Sequence, residues 1–64
     1  MNRRALERHL RSHGCFLNHQ GTRHVIWVNP RTQAHAPVPR HATIRRGTAR
    51  GICRLLGIPV PVAL

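Results

Sequence analysis

Apolar positions follow two different rhythms along this chain. Near the start, Ala5, Leu6, His9, Leu10 and His13 recur every three or four residues, while Arg3, Arg4, Arg8 and Arg11 fall mostly on the other side. That is the pattern of an amphipathic helix. Asn2 stands where a side-chain cap belongs, and Gly14 suits the left-handed residue that ends a helix. The pattern predicts a first helix over about residues 3–13.

The rhythm then changes. Residues 15–20 alternate weakly and read as a short strand, followed by a turn at Gly21-Thr22. His24-Val25-Ile26-Trp27-Val28-Asn29 is β-branched and aromatic, the strongest strand signal in the chain. Asn29-Pro30-Arg31-Thr32 reads as a turn, and residues 33–38 as a third strand weakened at its end by Pro37 and Pro39. Arg40 to Arg46 is a basic connection. Thr48 is placed to cap a second helix over residues 49–56, with Ala49, Ile52, Cys53 and Leu56 on its apolar side and Gly57 closing it. The expected order is α-β-β-β-α, an α+β domain over residues 1–58 with an apolar, proline-containing tail over residues 59–64. Two helices covering one face of a three-stranded antiparallel sheet is the simplest way to bury both helix stripes. Strand alternation puts His24, Ile26 and Val28 on one face of the central strand and Val25, Trp27 and Asn29 on the other. With Val25 and Trp27 under the helices, His24 lies on the open face beside a turn. Ile26 and Val28 then form an apolar patch that a partner would cover.

Composition narrows the chemistry. All 11 cationic side chains are Arg, Glu7 is the single acid, and the formal charge is +10. Paired-carboxylate enzymes and Mg²⁺ or Ca²⁺ sites built from acidic oxygens are excluded. No apolar run approaches the roughly 20 residues of a bilayer-spanning helix, and no secretory signal is legible at the start. Two cysteines allow at most one bridge, and Cys15 and Cys53 read as buried free thiols of a cytoplasmic protein. An apolar share of 41% is too high for a disordered basic tail. The chain is expected to fold and to seek an acidic partner, nucleic acid first and an acidic protein second.

Six histidines invite three chemical readings. His9 and His13 have the spacing of a zinc pair, but no further ligand spacing supports a metal site, and none is expected. Neither cysteine sits where an exposed thiolate would form, which argues against Cys–His nucleophilic catalysis. The third reading is general-base catalysis on RNA. Ribose carries its own nucleophile, so a ribonuclease needs a base, cations for the phosphorane and a proton donor, and no cofactor. His and Arg supply these functions. His24 is either such a ligand-facing group or a strand-end histidine with no further role. A second cluster, Val38-Pro39-Arg40-His41 followed by Ile44-Arg45-Arg46-Gly47-Thr48, brings two guanidiniums and a hydroxyl to a helix start. It is either a phosphate site or a solvated basic loop.

These residues carry a family resemblance. Gly21-Thr22-Arg23-His24-Val25-Ile26-Trp27-Val28-Asn29-Pro30 is similar to the central motif of HicA-type toxins. Val38-Pro39-Arg40-His41 and Ile44 through Ile52 are similar to their second motif. The resemblance runs in unbroken order over about residues 2–58. It implies a double-stranded-RNA-binding-domain-like fold and a small toxin of a toxin–antitoxin pair that cleaves mRNA without metal. The catalytic histidine of the family falls on His24. It also implies a HicB-like acidic antitoxin as partner, in a hetero-oligomer. Arg23 stands where many members carry a small polar residue. The resulting expectation is an endoribonuclease with His24 as base, His41 as auxiliary acid and Arg23, Arg40, Arg45, Arg46 and Thr48 holding RNA. The antitoxin would cover Ile26 and Val28. The alternatives are a non-catalytic RNA-binding module, or a basic subunit neutralised by an acidic partner.

Overall fold

Asn2 caps the first helix as its position suggests. In the computed structural model, its side-chain oxygen accepts from the Arg4 and Ala5 amides at 2.8 and 3.4 Å. The structure describes residues 1–20 and 24–62, with the side chains of His19 and Gln20 left aside, so the turn expected at Gly21-Thr22 lies outside it. Helix α1 spans Arg3–Ser12. Gly14, at φ +83°, then turns the chain so that the Cys15 amide reaches back to Leu10 O at 3.0 Å. Only glycine adopts that backbone without strain.

Strands β1 (Phe16–Gln20), β2 (His24–Asn29) and β3 (Ala34–Pro39) follow, then helix α2 (Arg46–Leu56). The strands form one antiparallel sheet in the order β1-β2-β3. Val25 pairs with Val38, and Trp27 pairs with Leu17 on one side and Ala36 on the other. Trp27, Ala36 and Val38 are buried with Leu6 and Leu10 of α1 and with Ala49, Ile52, Cys53 and Leu56 of α2. Both helices therefore cover the same sheet face, which is the architecture of the double-stranded-RNA-binding-domain-like fold. The opposite face carries His24 and Pro39, Ile26 and Pro37, and the row Phe16–Val28–His35.

Helix α1 ends and strand β1 begins one residue inside the expected limits, and larger differences lie further along the chain. Strand β3 is shifted by one residue at both ends, starting at Ala34 and including Pro39. Gln33, at φ 63°, closes the hairpin, and its amide bonds Asn29 O at 2.8 Å, so pairing starts after it. Pro37 and Pro39 are tolerated because a proline whose nitrogen faces the free edge removes no ladder bond. Helix α2 begins three residues early, and Thr48 lies inside its first turn instead of capping it. Arg45 is the capping residue, with extended backbone and no side-chain cap. The start is set by Ile44 and Ala49, which flank that first turn and are both buried in the core, the arrangement of a hydrophobic staple. Val28 is only 6% exposed, flanked across the open face by Phe16 and His35. It therefore offers little surface of its own.

Asn29 ends the β2 pattern on the face of Val25 and Trp27 and also begins the Pro30 turn, and it is the one buried polar side chain among the described residues. Its amide donates to Leu56 O at 2.7 Å and its carbonyl accepts from the Arg31 amide at 3.0 Å. The end of β2 is thereby fastened to the end of α2. Gly57 ends α2 in the left-handed region, and the Ile58 amide returns to Cys53 O at 3.0 Å. The tail then crosses to α1, where His9 Nε2 donates to Pro59 O at 2.6 Å and Val60 packs against the core.

Candidate nucleic-acid interface

The basic connection between β3 and α2 is held by the first residues of the chain. The Met1 and Ile44 backbones exchange two bonds of 2.7 Å, and the Arg3 amide donates to Ala42 O at 2.9 Å. Asn2 and Thr43 form an isolated antiparallel bridge. The Arg3 guanidinium donates to Arg40 O as well. Burial of Ile44 completes the anchor. A segment rich in charge, which composition alone would leave as solvated loop, is thus fixed on both sides of Arg40 to Arg45.

This anchoring presents the start of α2 to solvent. Arg45, Arg46, Gly47 and Thr48 are exposed, the first turn holds no acid, and no side chain caps the helix. Its leading amides and the positive end of the helix dipole are left for an anion. Pro39, His41, Thr43, Ile44, Arg45 and Thr48 line a groove of about 470 Å³ at this end. His24 sits directly across the sheet from Pro39 and is exposed. The register therefore brings His24 beside the residue that forms one wall of the groove holding His41, Arg45 and Thr48. Arg40 lies on the other side of Pro39, in a second groove of about 200 Å³ shared with Arg3, Glu7, Leu17, Val25 and Val38. Arg46 is exposed on the helix start but is not part of either groove lining. Arg23 lies outside the described residues. Ile26 is half-buried on the open face, two residues along β2 from His24.

The remaining candidates are occupied structurally. His9 and His13 stack edge to face with centroids 4.7 Å apart, and His9 holds the tail. Cys15 and Cys53 are free and buried. Burial pushes both thiols above the usual range, and the nearby Cys15 raises Cys53 further, which disfavours a thiolate nucleophile. Arg11 lies over the Trp27 ring, 5.0 Å from its centroid, and so covers the core tryptophan from outside. Neither this contact nor the N-terminal bridge has a sequence signal, because each joins segments far apart in the chain.

A family model described as HicA toxin of bacterial toxin–antitoxin matches residues 3–58. The chain belongs to the HicA toxin family. No curated protein and no solved structure matches it. Membership makes this HicA chain the toxin of a toxin–antitoxin pair, with an antitoxin as its partner. The matched span runs from the start of α1 to the residue after Gly57, so it takes in both helices and the whole sheet. Among the described residues, no helix is long and apolar enough to cross a membrane.

Proposed function

We propose that this HicA chain is a cytoplasmic endoribonuclease that cleaves mRNA without a metal, with His24 as general base. The observation that carries the reading is the register pairing of His24 with Pro39, beside the groove of His41, Arg45 and Thr48 at an uncapped helix start. His24 takes the proton of a ribose 2′-hydroxyl, and the 2′-oxygen attacks the adjacent phosphorus. Arg45, Arg46 and the leading amides of α2 stabilise the charge of the phosphorane, with Thr48, Arg40 and Arg23 holding the strand. His41 gives a proton to the departing 5′-oxygen. The products are a 2′,3′-cyclic phosphate and a free 5′-hydroxyl. The only carboxylate side chain, Glu7, lies on α1, so acid–base work falls to histidine. A HicB-like acidic antitoxin covers the open face at Ile26, where Val28 lies buried beneath the surface, and forms a hetero-oligomer with the toxin. Residues 1–58 carry these functions, and Pro59 and Val60 at the start of the tail brace α1 and the core.

The test is incubation of labelled RNA with the purified protein in EDTA, wild type against His24→Ala. His24→Ala should lose about 10²–10⁴ in rate, the usual share of general acid–base catalysis, and keep its RNA affinity. An RNA with methylated 2′-oxygens should not be cut. Cleavage of that RNA, or full activity in His24→Ala, removes His24 from this role. Binding without cleavage by the wild-type chain would leave a non-catalytic RNA-binding module.

A further inference from the structure

The sheet has two outer strands, and they are unequally protected. On β3, Pro37 and Pro39 occupy alternate positions within a continuous ladder to β2. Their nitrogens must face the free edge, so two of the outward donors of that edge are missing. The same alternation carried through β2 turns the backbone groups of His24, Ile26 and Val28 toward β1. Phe16, opposite Val28, bonds inward, and Leu17, opposite Trp27, turns its N–H and C=O outward. Beyond the pairing with β2, none of Phe16, Leu17 and Asn18 shows a backbone hydrogen bond among the described residues. One edge is blocked by proline, and the other is an open template for a further strand.

The side chains at the open edge are apolar on both faces. Phe16 is 46% exposed on the open face and Leu17 is 37% exposed on the helix face. On the helix face, Leu17 shares its groove with Arg3, Glu7 and Arg40. Arg4, Arg8 and Arg11 continue that surface along α1 around the same single Glu7. A second copy of this chain would bring another +10 charge and another arginine row to the edge. An acidic strand meets the opposite situation.

We propose that the free edge of β1 docks an extended acidic segment of a partner protein, which adds to the sheet as a fourth strand beside Leu17. The segment alternates in chemistry. Residues facing the open side are apolar and pack on Phe16, while those facing α1 are Asp or Glu and meet the arginine row. Main-chain bonds to Leu17 supply register, and side-chain pockets supply selectivity. A bulge between Leu17 and His19 interrupts the ladder before it resumes at His19 and Gln20, so the straight stretch of edge at Leu17 is short and the selectivity of the added strand rests on charge. The proposal rests on the pairing of this toxin with an acidic antitoxin and is independent of catalysis by His24.

The test uses the full chain, ¹⁵N-labelled, titrated with a synthetic peptide alternating valine and glutamate. The expected result is slowed amide exchange at Leu17 with shifts at Phe16 and Asn18, and none along β3. A peptide with lysine in place of glutamate should bind at least tenfold more weakly, as should the valine–glutamate peptide to Leu17→Lys. His24→Ala should bind the peptide like wild type, which separates this surface from the catalytic reading. Equal binding of the lysine peptide, shifts centred on Ile26 and His35, or no binding at millimolar peptide would each overturn the proposal. So would protection of Leu17 by self-association without peptide, or by an RNA duplex in place of the peptide.

Discussion

Asn29→Ala removes two bonds at a place water does not reach. The side chain is 3% exposed, and it bridges Leu56 O at the end of α2 to the Arg31 amide in the β2–β3 loop. Each bond is worth about 1 kcal/mol net, and a buried partner left unsatisfied costs about 1–3 kcal/mol. Leu56 O loses its side-chain donor, whereas the Arg31 amide sits in a partly exposed loop where water can replace the lost oxygen. The expected loss is therefore about 2–3 kcal/mol, most of it from the Leu56 side. A domain of this size has only about 3–10 kcal/mol of stability at roughly 0.05–0.15 kcal/mol per residue. The variant should melt roughly 10 °C or more below wild type, since each kcal/mol moves a small domain by about 4–8 °C. Asn29→Asp should be worse than alanine above neutral pH, because it buries a charge and sets a second acceptor against Leu56 O. Urea unfolding with an unchanged slope is the assay. A loss below about 0.5 kcal/mol for alanine, or an aspartate variant as stable as wild type, would refute the idea that this side chain fastens sheet to helix.

Ile44→Ala should cost about 2–5 kcal/mol in the same unfolding assay, as a buried Ile truncation does, and should weaken RNA binding by loosening the start of α2. RNA affinity should fall steeply with salt, and Arg45→Ala and Arg46→Ala should each flatten the log–log slope by about 0.7–0.9, read by fluorescence anisotropy. The thiol protons of Cys15 and Cys53 are held more tightly in the folded chain than in the unfolded one, whose thiols ionise near pH ~8.5. Stability from this source is complete below that value and is lost as pH rises through and above it. With neither Lys nor Tyr in the chain, the melting temperature of wild type should fall as pH rises above about 8.5, and that of a double Cys→Ala variant should fall less.

Local chemistry was readable wherever neighbours along the chain decide the outcome. The Asn2 cap, the Gly14 and Gly57 terminations and the limits of β2 follow from capping geometry, left-handed backbone and β-branching, and all four stand in the fold. The two faces of β2 were legible too, because alternation and the bulk of Trp27 leave one consistent way to bury it. The same reasoning placed His24 on the open side, next to a strand end. Other features depend on contacts between distant segments. The start of α2 is governed by burial of Ile44, and the Thr48 hydroxyl has no part in it. Val28 is buried on the open face, where its neighbours Phe16 and His35 are set by cross-strand register. Alternation puts Asn29 on the face of Trp27, but its buried amide finds a partner only when Leu56 arrives from the far end of the chain. The basic connection becomes a fixed platform through its bonds to Met1, Asn2 and Arg3, some forty residues earlier. Pattern along a chain reports the preference of each segment for its own backbone and solvent, whereas these features are set by which segments meet.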